Sequence, residues 1–158
     1  GIVSADLNYN YGNALMYLKY YEDAEKVFRK VLVTNPNKAE AWKNLGQVYH
    51  YLNLFNKEIE CYDKAISIDP TLLQAISSKA ITLFKVFRDY ENSLILLKKV
   101  VDIDKDKTYY YEYPYIDFYI AECYLELGDI YNAKFWNSLG LKNNPTDNYF
   151  LKQRERLN

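Results

Sequence analysis

An all-α fold of repeated helix pairs is what this sequence predicts, on three observations. Gly12 and Gly46 stand 34 residues apart, and Pro36 and Pro70, Phe28 and Tyr62, Val31 and Ala65, and Tyr21 and Phe55 keep the same interval. Trp42, Leu45, Gly46 and Tyr49 fall at i, i+3, i+4 and i+7, which places them on one face of a helix. The break between that stripe and the next, Asn53 to Asn56, is about as short as helix hairpins usually are. Self-similarity at a fixed period of this length is the mark of a repeat architecture.

Taken in order, residues 5–38 form the first copy, with Tyr11, Gly12 and Leu15 on one helix and Ala24, Phe28 and Val31 on the next, closed by Pro36. Residues 39–72 form the second and clearest copy. Its second helix carries Ile59, Tyr62, Ala65 and Ile66, and Pro70 biases Asp69 away from the α region and so ends it. Gly46 and Ala65 are small where the paired helices must approach closely. Residues 73–107 form a third copy of 35 residues, with Ile76, Ala80 and Leu83, then Ser93, Leu97 and Val100; the extra residue is expected near Arg88, and Ala80, Ile81 and Phe84 form the alternative stripe if it falls earlier. After an insertion at 108–113, residues 114–147 return to the period with Ile120, Ala121 and Tyr124, the turn Gly128-Asp129, then Ala133, Gly140 and Pro145. Residues 148–158 read as a capping helix with an apolar start and a charged finish.

Trp42, Leu45, Gly46, Tyr49, Tyr62, Ala65 and Pro70 resemble the tetratricopeptide repeat, whose pattern is W-x2-L-G-x2-Y followed by a small residue, an aromatic, a small residue and a proline. The departures are Glu58 in place of a small residue, Asn8 in place of Trp, Lys105 in place of Pro and Asn137 in place of the aromatic. Asn8 is explained if the first helix has no earlier repeat to pack on. The resemblance implies a right-handed α-solenoid, a single domain of about four units plus a C-terminal cap. It places Tyr11, Tyr21, Tyr49, Tyr62, Tyr90 and Tyr124 at packing positions, and so in the core.

The resemblance also implies a concave groove lined by the first helix of each pair, where a peptide or protein segment binds. By register its side chains are Tyr9, Asn13, Met16 and Tyr17, then Lys43, Asn44, Gln47, His50 and Tyr51, then Gln74, Ser78, Ile81 and Lys85, and finally Tyr115, Phe118, Tyr119 and Glu122. Amide side chains both donate and accept, so Asn13 and Asn44 suit the backbone of an extended peptide. Aromatic anchors suit its spaced apolar side chains. Asn13 and Asn44 also stand at the Asn positions of the carboxylate clamp that holds chaperone tails, but Tyr9, Gln74 and Ser78 replace its basic residues. A doubly charged tail end needs those charge-assisted bonds, so clamp binding is not expected.

Composition narrows the function further. Among 158 residues, 20 Lys+Arg against 21 Asp+Glu leave a net charge of -1, which gives no footprint for nucleic acid or anionic lipid. No apolar run approaches the roughly 18 residues that span a membrane, and the first dozen residues lack the regions of a signal peptide. Cys61 and Cys123 are too few and too scattered for a disulfide framework or a zinc site, which favours a cytoplasmic setting. No phosphate loop, metal-ligand spacing or triad is present, so neither an enzyme nor a metal or other cofactor is expected. His50, the one histidine, reads as a hydrogen-bonding surface residue.

Tyr109, Tyr110 and Tyr111 in the run TYYYEY are a separate case, because three consecutive tyrosines cannot all face one core. The run marks either an aromatic interface, for a partner or a second copy, or a loop folded back on its own helices. Alongside the groove-binding module stands a second expectation: a self-associating scaffold, a homo-oligomer or a fragment of a longer repeat protein.

Overall fold

A computed structural model describes residues 2–105 and 115–158. The insertion at 108–113, with Tyr109, Tyr110 and Tyr111, lies outside the described residues. Among the described residues every regular element is a helix. The chain divides into two compact units, Gly1–Ala75 and Ile76–Asn158.

The first unit contains α1 (Ile2–Tyr17), α2 (Tyr21–Thr34), α3 (Ala39–Tyr51), α4 (Phe55–Ile68) and the start of α5 (Leu73–Thr82). Each hairpin turns through one left-handed residue, Lys19 at φ 64° and Asn53 at φ 58°, 34 positions apart. The prolines stand two positions beyond the helix ends: Asn35 and Asp69, at φ -137° and -126°, have left the helical region, as residues before proline prefer, so α2 and α4 stop at Thr34 and Ile68. Glu22 and Asp23 in the first turn of α2 complement the positive end of the helix dipole.

Packing within each pair rests on a ring set against a glycine. A Cβ on Gly12 would meet Phe28 at 2.9 Å, and one on Gly46 would meet Tyr62 at 2.7 Å. Both rings are essentially sealed from solvent. Between pairs, Ala24, Phe28, Val31 and Leu32 of α2 share one core with Ala41, Leu45, Val48 and Tyr49 of α3.

The second unit holds the rest of α5, a π-helical turn (Leu83–Phe87), α6 (Tyr90–Ile103), α7 (Ile116–Glu126), α8 (Ile130–Asn143) and α9 (Asn148–Leu157). The π turn widens the end of the helix by one residue, which takes up the extra position of the 35-residue copy. Arg88 follows at φ 54° and Gly128 at φ 81°, again left-handed hairpin residues. The helices after these turns are capped by a repeated device. Asp89 accepts from the Asn92 backbone N–H at 3.2 Å and Asp129 from that of Asn132 at 3.1 Å, while each Asn amide donates back to its Asp at 2.8 and 2.7 Å. Ile76, Ala80, Ser93, Leu97, Val100, Ile120, Ala121, Ala133 and Asn137 are all buried.

One core assignment fails. Tyr11 is 56% exposed, whereas Leu45, one period later, is 3% exposed. The reason is positional: α2 lies over that face of α3, and no described helix lies over the same face of α1.

A small change tests the ring-on-glycine contact. On an open helix face Gly→Ala stabilises by about 1 kcal/mol, but at Gly46 overpacking against the immobile Tyr62 ring costs about 1–3 kcal/mol. Gly46→Ala is therefore expected to lower the urea midpoint, and Tyr62→Leu in the same chain to recover part of the loss. A single Gly46→Ala variant as stable as the parent would contradict the contact.

Candidate functional site

In the first unit the groove-facing side chains of α1 and α3 come together in two layers. The lower layer is a buried polar knot: Asn44, only 4% exposed, donates through Nδ2 to Asn13 Oδ1 at 2.6 Å and to the Tyr9 hydroxyl at 3.0 Å. Asn44 is thus not the open groove residue that its register suggests; its donors are spent on α1. Its Oδ1 is buried with no partner among the described residues. A buried acceptor left so costs about 1–3 kcal/mol until a donor reaches it.

Above this knot, Asn13, Met16, Tyr17, Lys19, Tyr21, Gln47 and Tyr51 surround a cavity of about 390 Å³. Tyr17 and Tyr51 are 87% and 56% exposed. Tyr51 is nevertheless held in place, stacked on Tyr21 with centroids 4.6 Å apart and planes at 13°. Lys43 is half-buried, and that burial lowers its ammonium pKa against the opposing charge of Glu40. Gln74 is half-buried at the start of α5.

In the second unit Ser78 and Ile81 are half-buried on α5. The aromatic residues of α7 form an edge-to-face chain. Tyr115 meets Tyr149 at 5.3 Å, Tyr149 meets Phe118 at 5.7 Å, Phe118 meets Tyr119 at 5.4 Å, and Tyr119 meets Phe84 at 5.5 Å. Lys85 Nζ stands 5.4 Å from the Tyr119 ring centre. Phe118 is partly consumed by the cap, since Phe150 of α9 also packs on it. Glu122 is removed from the groove altogether: Gln153 Nε2 donates to it at 2.7 Å and Arg156 Nη1 to both its oxygens at 2.9 Å. Register alone missed Tyr149, although it repeats Tyr115 after 34 residues, and Tyr21, which stacks under Tyr51.

On the other side of α3, a larger cavity of about 730 Å³ is lined by Arg29, Leu32, Val33, Trp42, Leu45, Tyr49, Lys57, Glu60, Cys61, Asp63 and Lys64. Burial pushes the Cys61 thiol up to about 12 and the Cys123 thiol up to about 11. Burial, together with its hydrogen bond to Glu25 Oε1 at 3.0 Å, likewise raises the Tyr49 hydroxyl to about 12. His50 Nδ1 stands 3.1 and 3.2 Å from the carboxylate oxygens of Glu58, whose side chain is buried beneath it. Glu58 is therefore accommodated in the α3–α4 crossing by a histidine partner rather than by a small residue. Among the described residues no group of three or more His, Cys, Asp or Glu could hold a metal ion. No described helix is long and apolar enough to cross a membrane.

Models of the tetratricopeptide repeat match residues 39–72 and residues 5–48. Residues 5–72 of the chain are therefore tetratricopeptide repeats. Superkiller protein 3 of Saccharomyces cerevisiae is 35% identical over 88 residues, a stretch that makes up 54% of this chain and 6% of that protein. This chain thus spans only a small part of the length of that relative. The structure of PilF from Pseudomonas aeruginosa superposes with a TM-score of 0.80 at 20% identity, over 97% of this chain and 67% of that one. The TPR2B domain of yeast Sti1, solved in a complex with pHsp70, superposes with a TM-score of 0.71 at 20% identity, over 78% of this chain and 98% of that one. At such identities the two structures speak to the fold. Tetratricopeptide repeats are protein–protein interaction modules.

The thiols offer a direct check on this environment. Because burial favours the neutral form, and the thiolate is the reactive species, neither cysteine should react with iodoacetamide at pH 8 in the folded chain. Mass spectrometry is expected to find both alkylated only after denaturation, and rapid native alkylation of Cys61 would contradict its placement.

Proposed function

We propose that this protein is a non-enzymatic binding module that holds an extended peptide or protein segment along the groove made by the first helix of each repeat. The observation that carries the reading is the cavity between α1 and α3. There the exposed rings of Tyr17 and Tyr51 flank the amides of Asn13 and Gln47, above a buried amide oxygen without a donor.

Each part suits the backbone and side chains of an extended chain. Asn13 and Gln47 can donate to and accept from peptide groups without reading sequence. Tyr17 and Tyr51 offer large areas at low entropy cost, and the Tyr21 stack holds one of them ready, so less is lost on binding. Lys43 and Gln74 extend the same lining in the first unit; in the second unit Ser78, Tyr115, Phe118 and Tyr119 stand at the corresponding register positions. With Tyr9, Gln74 and Ser78 where a clamp needs cations, the favoured segment is an internal one with spaced apolar side chains, not a doubly charged terminus. The Sti1 domain, which superposes on this chain and was solved with pHsp70 bound, supports the reading by analogy.

Peptides selected on the whole chain from a random displayed library provide the test. Tyr17→Ala and Tyr51→Ala, both at exposed positions, are expected to weaken binding about tenfold or more, the size of a hot-spot truncation. Thermal unfolding should stay within a few degrees of the parent. Val33→Ala, on the opposite cavity, should bind normally. Selected peptides that bind Tyr17→Ala, Tyr51→Ala and Tyr119→Ala as tightly as the parent would overturn the proposal.

A further inference from the structure

Six rings of the second unit form one unbroken edge-to-face row. In spatial order they are Tyr90, Phe84, Tyr119, Phe118, Tyr149 and Tyr115, with successive centres 5.3 to 5.7 Å apart and successive planes at 61° to 76°. The π turn carries Phe84, the first turns of α7 carry the next pair, and the start of α9 adds Tyr149. Tyr149 is 60% and Tyr115 37% exposed, and the other four are half-buried, so the row is open to a ligand along its length.

Hydrogen bonding on this surface is one-sided. The hydroxyls of Tyr90, Tyr119 and Tyr149 make no hydrogen bond among the described residues and are free to donate. The strong acceptors are already taken. Glu122 is held by Gln153 and Arg156, and Asp147 accepts from the Tyr149 backbone N–H at 2.8 Å and from the Tyr115 hydroxyl at 3.4 Å. No Asn or Gln stands at the groove positions of this unit, unlike Asn13 and Gln47 in the first. A peptide laid on the row therefore finds donors for its carbonyls and little to accept from its N–H groups, and an N–H buried without an acceptor is costly.

We propose that this row binds a proline-rich segment in the polyproline II conformation, with prolines lodged between the rings and carbonyls accepting from Tyr119 and Tyr149. Proline brings no N–H to be left unpaired. Its chain is extended before binding, so less conformational freedom is lost, and aromatic-lined grooves are the surfaces that such segments dock on. Rings set at steep angles leave notches in which a compact apolar ring meets the negative face of an aromatic. A cationic ligand is disfavoured, because Lys85 already stands 5.4 Å from the Tyr119 ring centre. The inference names a partner class for the second unit's share of the groove and rests on the groove reading above.

Fluorescein-labelled decaproline, titrated with the whole chain, is the test, beside a peptide of the same length in which every second proline is alanine. Saturable binding of decaproline is expected, weakened about tenfold or more by Tyr119→Ala and by Tyr149→Ala, the size of a hot-spot truncation. The alternating peptide should bind more weakly than decaproline. Tyr149 is mostly exposed, so Tyr149→Ala should keep the parent's unfolding midpoint, and Tyr17→Ala in the first unit should leave decaproline binding unchanged. Decaproline that does not bind, or that binds Tyr119→Ala and Tyr149→Ala as tightly as the parent, would overturn the inference. So would library-selected peptides that depend on Tyr119 and contain no proline. That last result leaves the groove reading standing, which falls only if selected peptides are indifferent to Tyr17, Tyr51 and Tyr119 alike.

Discussion

The ring of the second helix resting on the glycine of the first is the contact on which the rest of this structure depends. Helices can cross this closely only where one has no side chain, and the space so made is filled by Phe28 or Tyr62. Later copies trade the two volumes against each other. Ala80 and Ala121 stand where the glycines were, and the buried partners at the ring positions shrink to Leu97 and then Asn137. Asn137, being polar, must also be satisfied, and it donates to the Phe150 carbonyl and to Gln153 Oε1, both at 2.8 Å. The cap helix α9 is thus fixed by the loss of an aromatic in the helix just before it, α8. Gly140 completes the exchange by making room for Phe150.

Much of this was legible because the repeat constrains several positions at once. A period of 34 residues with glycine, aromatic and proline in phase leaves little freedom in where helices begin and end, and the observed turns at Lys19 and Asn53 follow it, with Arg88 displaced by the extra residue of the third copy and Gly128 by the insertion. What the pattern conveys is a position within a repeat, not the neighbour that the position meets. Tyr11 illustrates the difference: it occupies a packing position, yet it is exposed because nothing described covers α1 on that side. Glu58 illustrates the converse, a residue foreign to the pattern that is made tolerable by His50 across the crossing.

The groove was legible in outline and not in depth. Register proposes which residues line it, but burial depends on the size of each neighbour, and Asn44 sinks beneath Tyr9 and Asn13. Glu122 is neutralised by Arg156 and Gln153, thirty and more residues further along the chain, a pairing that no local pattern announces. Conversely, Tyr149 joins the aromatic row although its segment reads as a cap. The proposed binding surface is therefore set as much by what the packing withdraws from it as by what the repeat places there.

These features divide the first unit by role: second helices supply the rings, Phe28 and Tyr62, that lock their pairs, and first helices supply the amides and tyrosines proposed to meet a partner. Amide hydrogen exchange of the chain, with and without the tightest-binding selected peptide, tests that division most directly. Binding is predicted to slow exchange along α1 and α3 and to leave α2 and α4 unchanged. Slowing confined to α2 and α4, around the cavity of Trp42 and Cys61, would contradict it.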